Sequence, residues 1–429
     1  MKFTTALRSS SVRWAGPAVL LLAALYYVSG ETTPPSQYHH WAPAIVSAPL
    51  VTLYALAYAA AAGLGVWESG RLRKARIWET APSRSRCRVA ADVLLPVVMV
   101  AWTVLLLPPA ISLARSGTAP TPDSLRLPLT GMLIVVCHAV AGFALGSVLP
   151  RLIAAPVVAV VDWIAVAFTR ATEPYWLRHV SGQFAGVGFG EVPRPVSLVA
   201  PVLLAGGVAA GLLLLWLPRG PRVLRGVLAL GVAAAGVLGA QHLARDWPHD
   251  PPTATGQAPT DCSGAHPQVC VPRVASGNLD RARREASRTL STLRAAGVPV
   301  TAPDRIADVY TGQAATGSGD RVWRMSLMTA DRPHEVGYQV MVRALEFRCA
   351  EVPLVRARSV WLWGAIRTGQ VDMYRERRRS EGVTPASEKT ESQVGDRVRD
   401  VLGRSQAAQR TWIRSNLASC PKSATGSTA

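Results

Sequence analysis

No phosphate-cradling G-x-x-x-x-G-K-S/T loop occurs in this chain, so it carries no nucleotide-driven energy source of its own. H-E-x-x-H is also missing, which sets aside a zinc peptidase of the usual design, and no G-x-S-x-G elbow accompanies any serine. His249, His266 and His334 stand alone, without a second His or Cys at metal-ligand spacing. His266 does lie between Cys262 and Cys270, but a disulfide there removes the thiolates. The chain therefore reads as no enzyme, with no metal and no cofactor. Acidic residues are scarce, 27 against 46 basic ones, leaving a net charge of +19. Nucleic acid is not the partner this implies. Much of the excess falls in short loops between apolar runs, where membrane topology and anionic lipid headgroups account for it.

What is abundant is apolar sequence in long runs. Seven stretches lie at about 15–30, 43–66, 93–113, 129–149, 152–169, 195–217 and 223–242. A bilayer core takes about 20 mostly apolar residues per helical span. The expectation is an α-helical polytopic membrane protein of seven transmembrane helices over residues 1–242. Basic residues set its orientation, because short Lys- and Arg-rich loops stay inside. With the N-terminus in the cytoplasm, 14 basic residues fall on the inner side and 5 on the outer. Seven spans then put everything from about 243 onward outside, at the cell membrane.

The cysteines agree with that placement. Cys262, Cys270, Cys349 and Cys420 all lie in the outer tail, an oxidising location. Of the three pairings four cysteines allow, Cys262–Cys270 with Cys349–Cys420 is favoured. The first closes the turn-rich DCSGAHPQVCVP. The second joins distant elements and would contribute roughly 4 kcal/mol through chain entropy.

The inner loop after the second span runs from Trp67 to Arg86 as a short basic helix carrying Leu72 and Trp78, broken at Pro82. Such a segment suits the membrane surface. Glu68-x-Gly70, followed by Pro82-Ser83-Arg84, resembles a pattern in type-2 ABC exporter permeases. There a Glu-x-Gly at the inner end of the second span leads into an amphipathic helix that seats a separate ATPase subunit. A basic leader from Lys2 to Arg13 before the first span is similar too. The resemblance covers roughly residues 1–240 and rests on about twenty of them. It implies that Glu68, Gly70, Arg71, Trp78, Pro82 and Arg84 form an ATPase-coupling region. The implied partners are an ABC ATPase subunit and a second permease copy. The family usually has six spans with both termini inside, and Arg71 stands where it often has a small hydroxyl residue. The whole chain looks like a subgroup from high-GC Gram-positive bacteria that joins a permease-like half to an extracytoplasmic domain.

Two ionisable residues fall inside spans. His138 and Asp162 each lie about a dozen positions from the turn at Pro150-Arg151, so an antiparallel hairpin brings them to one depth. A carboxylate in hydrocarbon costs a few kcal/mol and requires a partner or water. The pair serves either as a gate or polar substrate contact, or as an interhelical clasp.

Residues 243–261 read as a proline-rich stalk, 262–420 as a small, mainly helical α+β extracytoplasmic domain stapled by disulfides, and 421–429 as a disordered tail. Within the domain, helices are expected from Asn278 to Gly297, over 335–351 and over 392–418, with a strand around 321–329. Residues 376–391 read as charged and loosely ordered, and Trp361-Leu362-Trp363 as core. The function these features imply is that of a permease-like exporter subunit moving a hydrophobic or amphipathic substrate outward. The alternative is a non-transporting membrane anchor that presents an extracytoplasmic sensor or binding domain.

Overall fold

Seven helices long and apolar enough to cross a membrane fill the first part of the chain. They are α1 Val12–Gly30, α2 Ala42–Lys74, α3 Arg86–Ser116, α4 Pro122–Gly146, α5 Arg151–Phe168, α6 Pro195–Leu215 and α7 Arg222–Ala244. The computed structural model describes residues 10–30, 40–77, 85–216, 221–311, 321–330, 332–347, 352–382 and 384–418. The chain divides into two compact units between Thr255 and Gly256.

Local sequence sets the helix ends. Thr121 and Ser124 form a reciprocal capping box at the start of α4. Ser85 accepts from the Arg88 amide to begin α3, which ends on Gly117 at φ +62°. Of the seven, α2 is the most enclosed. Its 33 residues span about 50 Å at 1.5 Å per residue, well beyond a hydrocarbon core of about 30 Å. Small residues let its neighbours approach. A Cβ on Gly142 would lie 2.0 Å from the Ala62 carbonyl oxygen, and one on Gly146 would lie 2.3 Å from that of Val66. This Gly-x-x-x-Gly seam joins α4 to α2 backbone to backbone, the close packing that association in lipid relies on. Gly207 and Gly236 make a similar contact between α6 and α7. A two-stranded antiparallel ladder, β1 Val192–Pro193 with β2 Thr253–Ala254, closes the unit.

The second unit opens with a hairpin of β3 Thr260–Ser263 and β4 Gln268–Pro272, in which Cys262 and Cys270 stand opposite one another and are disulfide-bonded. β4 leads through α8 Leu279–Ala295 to β5 Arg305–Asp308, parallel to it. β6 Val322–Met325 is parallel to β5, giving the order β3-β4-β5-β6. Asp308, fully buried at the end of β5, accepts the amides of Tyr310, Leu327 and Met328 at 2.8, 2.8 and 2.6 Å. Helices α9 Glu335–Ala344, α10 Leu354–Thr368, α11 Val371–Ser380, α12 Pro385–Leu402 and α13 Gln406–Ala418 complete the unit. Trp363 is fully buried among Leu345, Val360, Val398 and Ile413, in the core position read from its sequence.

Several expectations change. Residues 243–261 divide between the two units, because Arg178 reaches His249 and Asp250, and Thr253–Ala254 pairs with β1, while β3 begins at Thr260. The helix expected over 392–418 is two helices, starts at Pro385 and breaks at Gly403–Ser405. Residues 376–380, expected to be loose, continue α11, where Arg378 and Arg358 share Glu381. The helix expected over 335–351 ends at Ala344. Cys349, Cys420, Trp78, Pro82, Arg84 and the 421–429 tail lie outside the described residues.

Candidate functional site

Within the first unit, His138 Nδ1 of α4 lies 2.9 Å from Asp162 Oδ2 of α5. The short turn after α4 brings the two helices back to one depth, as the residue count from Pro150 requires. Tyr58 of α2 stacks on the His138 ring, with centroids 4.8 Å apart and planes 15° from parallel. Its hydroxyl donates to the Gly182 carbonyl at 3.0 Å. Three helices and a fourth, non-helical segment thus meet at one polar cluster.

That fourth segment is the unexpected part. After a five-residue helix, Trp176–Val180, the chain from Ser181 to Glu191 runs without regular structure along α2. Trp41 Nε1 donates to the Glu191 carbonyl (2.9 Å), and the Val187 amide donates to Ser47 Oγ (3.0 Å). Gln183 Nε2 donates to the Val51 carbonyl (2.8 Å), and Phe184 packs edge-on against Tyr54. From Ala42 to Tyr58, α2 advances about 24 Å, so Gly182 sits deep within the bundle. Gly182 has φ +82°, and a Cβ there would come within 3.1 Å of both Ile134 and Tyr58. No other residue suits both the backbone and the space. Irregular backbone at such depth is tolerated where protein or a water-filled cavity surrounds it. A cavity of about 230 Å³ does border this segment, with Glu191, Ser197 and Asp250 in its wall. Two buried acceptors or donors in the same region, Tyr54 Oη and Gln183 Oε1, have no hydrogen-bond partner among the described residues.

Outside the long helices, His179 Nε2 donates to the Pro248 carbonyl at 2.8 Å, and burial holds its imidazole below the usual histidine range.

The Lys74 end of α2 gathers a second set of contacts. Glu68 is fully buried and accepts from Ser10 Oγ (3.0 Å), the Ser11 amide (2.6 Å) and Ser11 Oγ (2.7 Å). Its charge therefore lies at the N-terminus of α1, where the helix dipole favours an anion. Arg71 lies 2.6 Å from its other oxygen, an ion contact rather than an aligned hydrogen bond. Arg73 donates to the carbonyls of Ser147 and Leu149 (3.3 and 2.8 Å) just past α4. Gly70 makes room for Arg151 at the start of α5, whose guanidinium lies over the Trp67 ring. This end of α2 is thus tied to α1, α4 and α5 at once, while Lys74, Ala75 and Arg76 remain exposed.

The structure brings together His138 with Asp162, and Glu68 with Arg71 and Gly70. Tyr58, Gly182, Ser10 and Ser11 escaped the reading of the sequence, and Arg151 entered it only at the turn before the fifth span. Tyr54 and Tyr58, four apart in an Ala-rich span, were the available signal for the first of these. Among the described residues no three His, Cys, Asp or Glu side chains converge as a metal site. No protein family, curated protein or solved structure matches this chain.

Proposed function

We propose that the first unit is the permease-like subunit of an ABC exporter, driven by a separate ATPase that acts on the Lys74 end of α2. The observation that carries this reading is the continuity of α2. Ten residues, about 15 Å of unbroken helix, separate Glu68 from Tyr58. A push on the first displaces the second, and with it the Tyr58–His138–Asp162 cluster and the Gly182 segment.

The roles follow from exposure. Glu68 is buried and positions the start of α1, so the ATPase rests on the exposed surface at Lys74–Arg76. The polar cluster and the segment beside it form the gate. Discontinuous backbone with nearby polar groups is the construction membrane transporters use where substrate passes. The substrate is hydrophobic or amphipathic and moves outward, and two copies pair to serve two ATPases. The basic inner loops put the N-terminus in the cytoplasm and the second unit outside.

Tagged protein purified in mild detergent from its native host tests this. A stoichiometric ATP-binding-cassette partner, lost with Lys74→Glu and Arg76→Glu in a stable protein, is the expected result. A preparation without any ATPase, holding an envelope protein through residues 256–418, would sink the exporter reading and favour the anchored sensor.

A further inference from the structure

The second unit carries a basic cleft that the exporter reading does not use. It is a cavity of about 680 Å³ between the first half of α8, the start of α9 and the α10–α11 turn. Arg281, Arg284 and Arg288 recur at helical spacing and line it. Arg284 and Arg288 are exposed, one turn apart, and neither has a carboxylate within salt-bridge distance among the described residues. Like charges at that spacing weaken a helix. Glu285 between them does not offset this, because its two oxygens accept the His334 and Gly337 amides, each at 3.1 Å. Gln370 also lines the cavity, 3 % exposed. Its Nε2 donates to Thr289 Oγ1 at 2.8 Å, while its fully buried Oε1 has no hydrogen-bond partner among the described residues. A buried acceptor left unpaired is costly, and most such groups in proteins are satisfied.

We propose that this cleft binds a phosphate ester. The guanidinium forks of Arg284 and Arg288 match phosphate oxygens. The cavity falls in the size range of small-molecule sites and is too large for inorganic phosphate alone. The ester can be a free metabolite-sized molecule or the headgroup of a lipid.

Calorimetric titration of the full-length protein in detergent with glycerol 3-phosphate tests the assignment. Saturable binding is expected, weakened about tenfold or more by Arg284→Ala or Arg288→Ala. Both arginines are exposed, so the variants should keep the parent melting temperature, and Arg284→Gln with Arg288→Gln provides a second pair. Binding to micelles containing phosphatidylglycerol, sensitive to the same substitutions but without response to the free ester, assigns the lipid headgroup as the source. Unchanged affinity in the Arg284→Ala/Arg288→Ala double variant would overturn the proposal. So would an equal loss from Arg379→Ala, which changes net charge away from the cleft.

Discussion

The hydroxyl of Tyr58 donates to the carbonyl of Gly182 across 3.0 Å, fastening a non-helical stretch of chain to the middle of the most enclosed helix. The same tyrosine lies flat against His138, so one side chain links the segment to the ionisable pair.

Tyr58→Phe should leave the Gly182 carbonyl without its donor in apolar surroundings, at a cost of about 1–3 kcal/mol. The melting temperature in detergent should fall. A cysteine placed at Gln183, in a background without Cys87, Cys137, Cys349 and Cys420, should react faster with a membrane-impermeant thiol reagent. Unchanged labelling would mean that Tyr58 does not hold the segment.

For His138 and Asp162, a double-mutant cycle with alanine at each position separates clasp from bystander. A coupling of about 0.5–2 kcal/mol is expected, the range found for polar pairs between membrane helices. Additive losses would mean that the 2.9 Å contact contributes no stability of its own.

Gly142→Ala should be strongly destabilising. The added methyl would sit 2.0 Å from the Ala62 carbonyl oxygen, so α2 and α4 must separate, at about 1–3 kcal/mol or more. Gly231→Ala on α7, where nothing lies within 4 Å, should be neutral or slightly stabilising. Comparing the two melting temperatures controls for helix propensity, which favours alanine in both.

The second unit should lose stability in alkali. Burial, and then the Glu391 carboxylate that accepts its hydroxyl hydrogen at 3.1 Å, raise Tyr374 above its ordinary value of 10.0. Burial raises Tyr338 in the same direction. Below pH 10 both phenols are protonated whether folded or not, so they contribute no slope. Above it the unfolded chain releases protons that the folded unit retains, and stability falls as pH rises. Thermal unfolding followed between pH 8 and 11 should show that decline, and Tyr374→Phe should flatten it.

Much of the first unit could be read from residue order. Seven apolar runs became seven helices, since length and hydropathy suffice for a span, and the His138–Asp162 depth match follows from counting back from Pro150. The segment 181–191 could not be read in this way. SGQFAGVGFGE has neither the length of a span nor a helical period, and its depth is set by side chains on α2 that the local sequence does not contain. In the second unit, the five-residue β4 and four-residue β5 are too short to show a period, and their parallel pairing depends on α8 bridging them. The break at Gly403–Ser405 was hidden because apolar residues on either side keep a common stripe.

The seat along α2 also imposes an order on biogenesis. The ribosome delivers α2 and α4 well before residues 181–191 leave its tunnel. Until then the Tyr58 hydroxyl lacks the Gly182 carbonyl to which it donates in the finished protein. The nascent bundle must therefore keep that groove hydrated or shielded by the insertion machinery, and the arrival of α6 is the step that releases it.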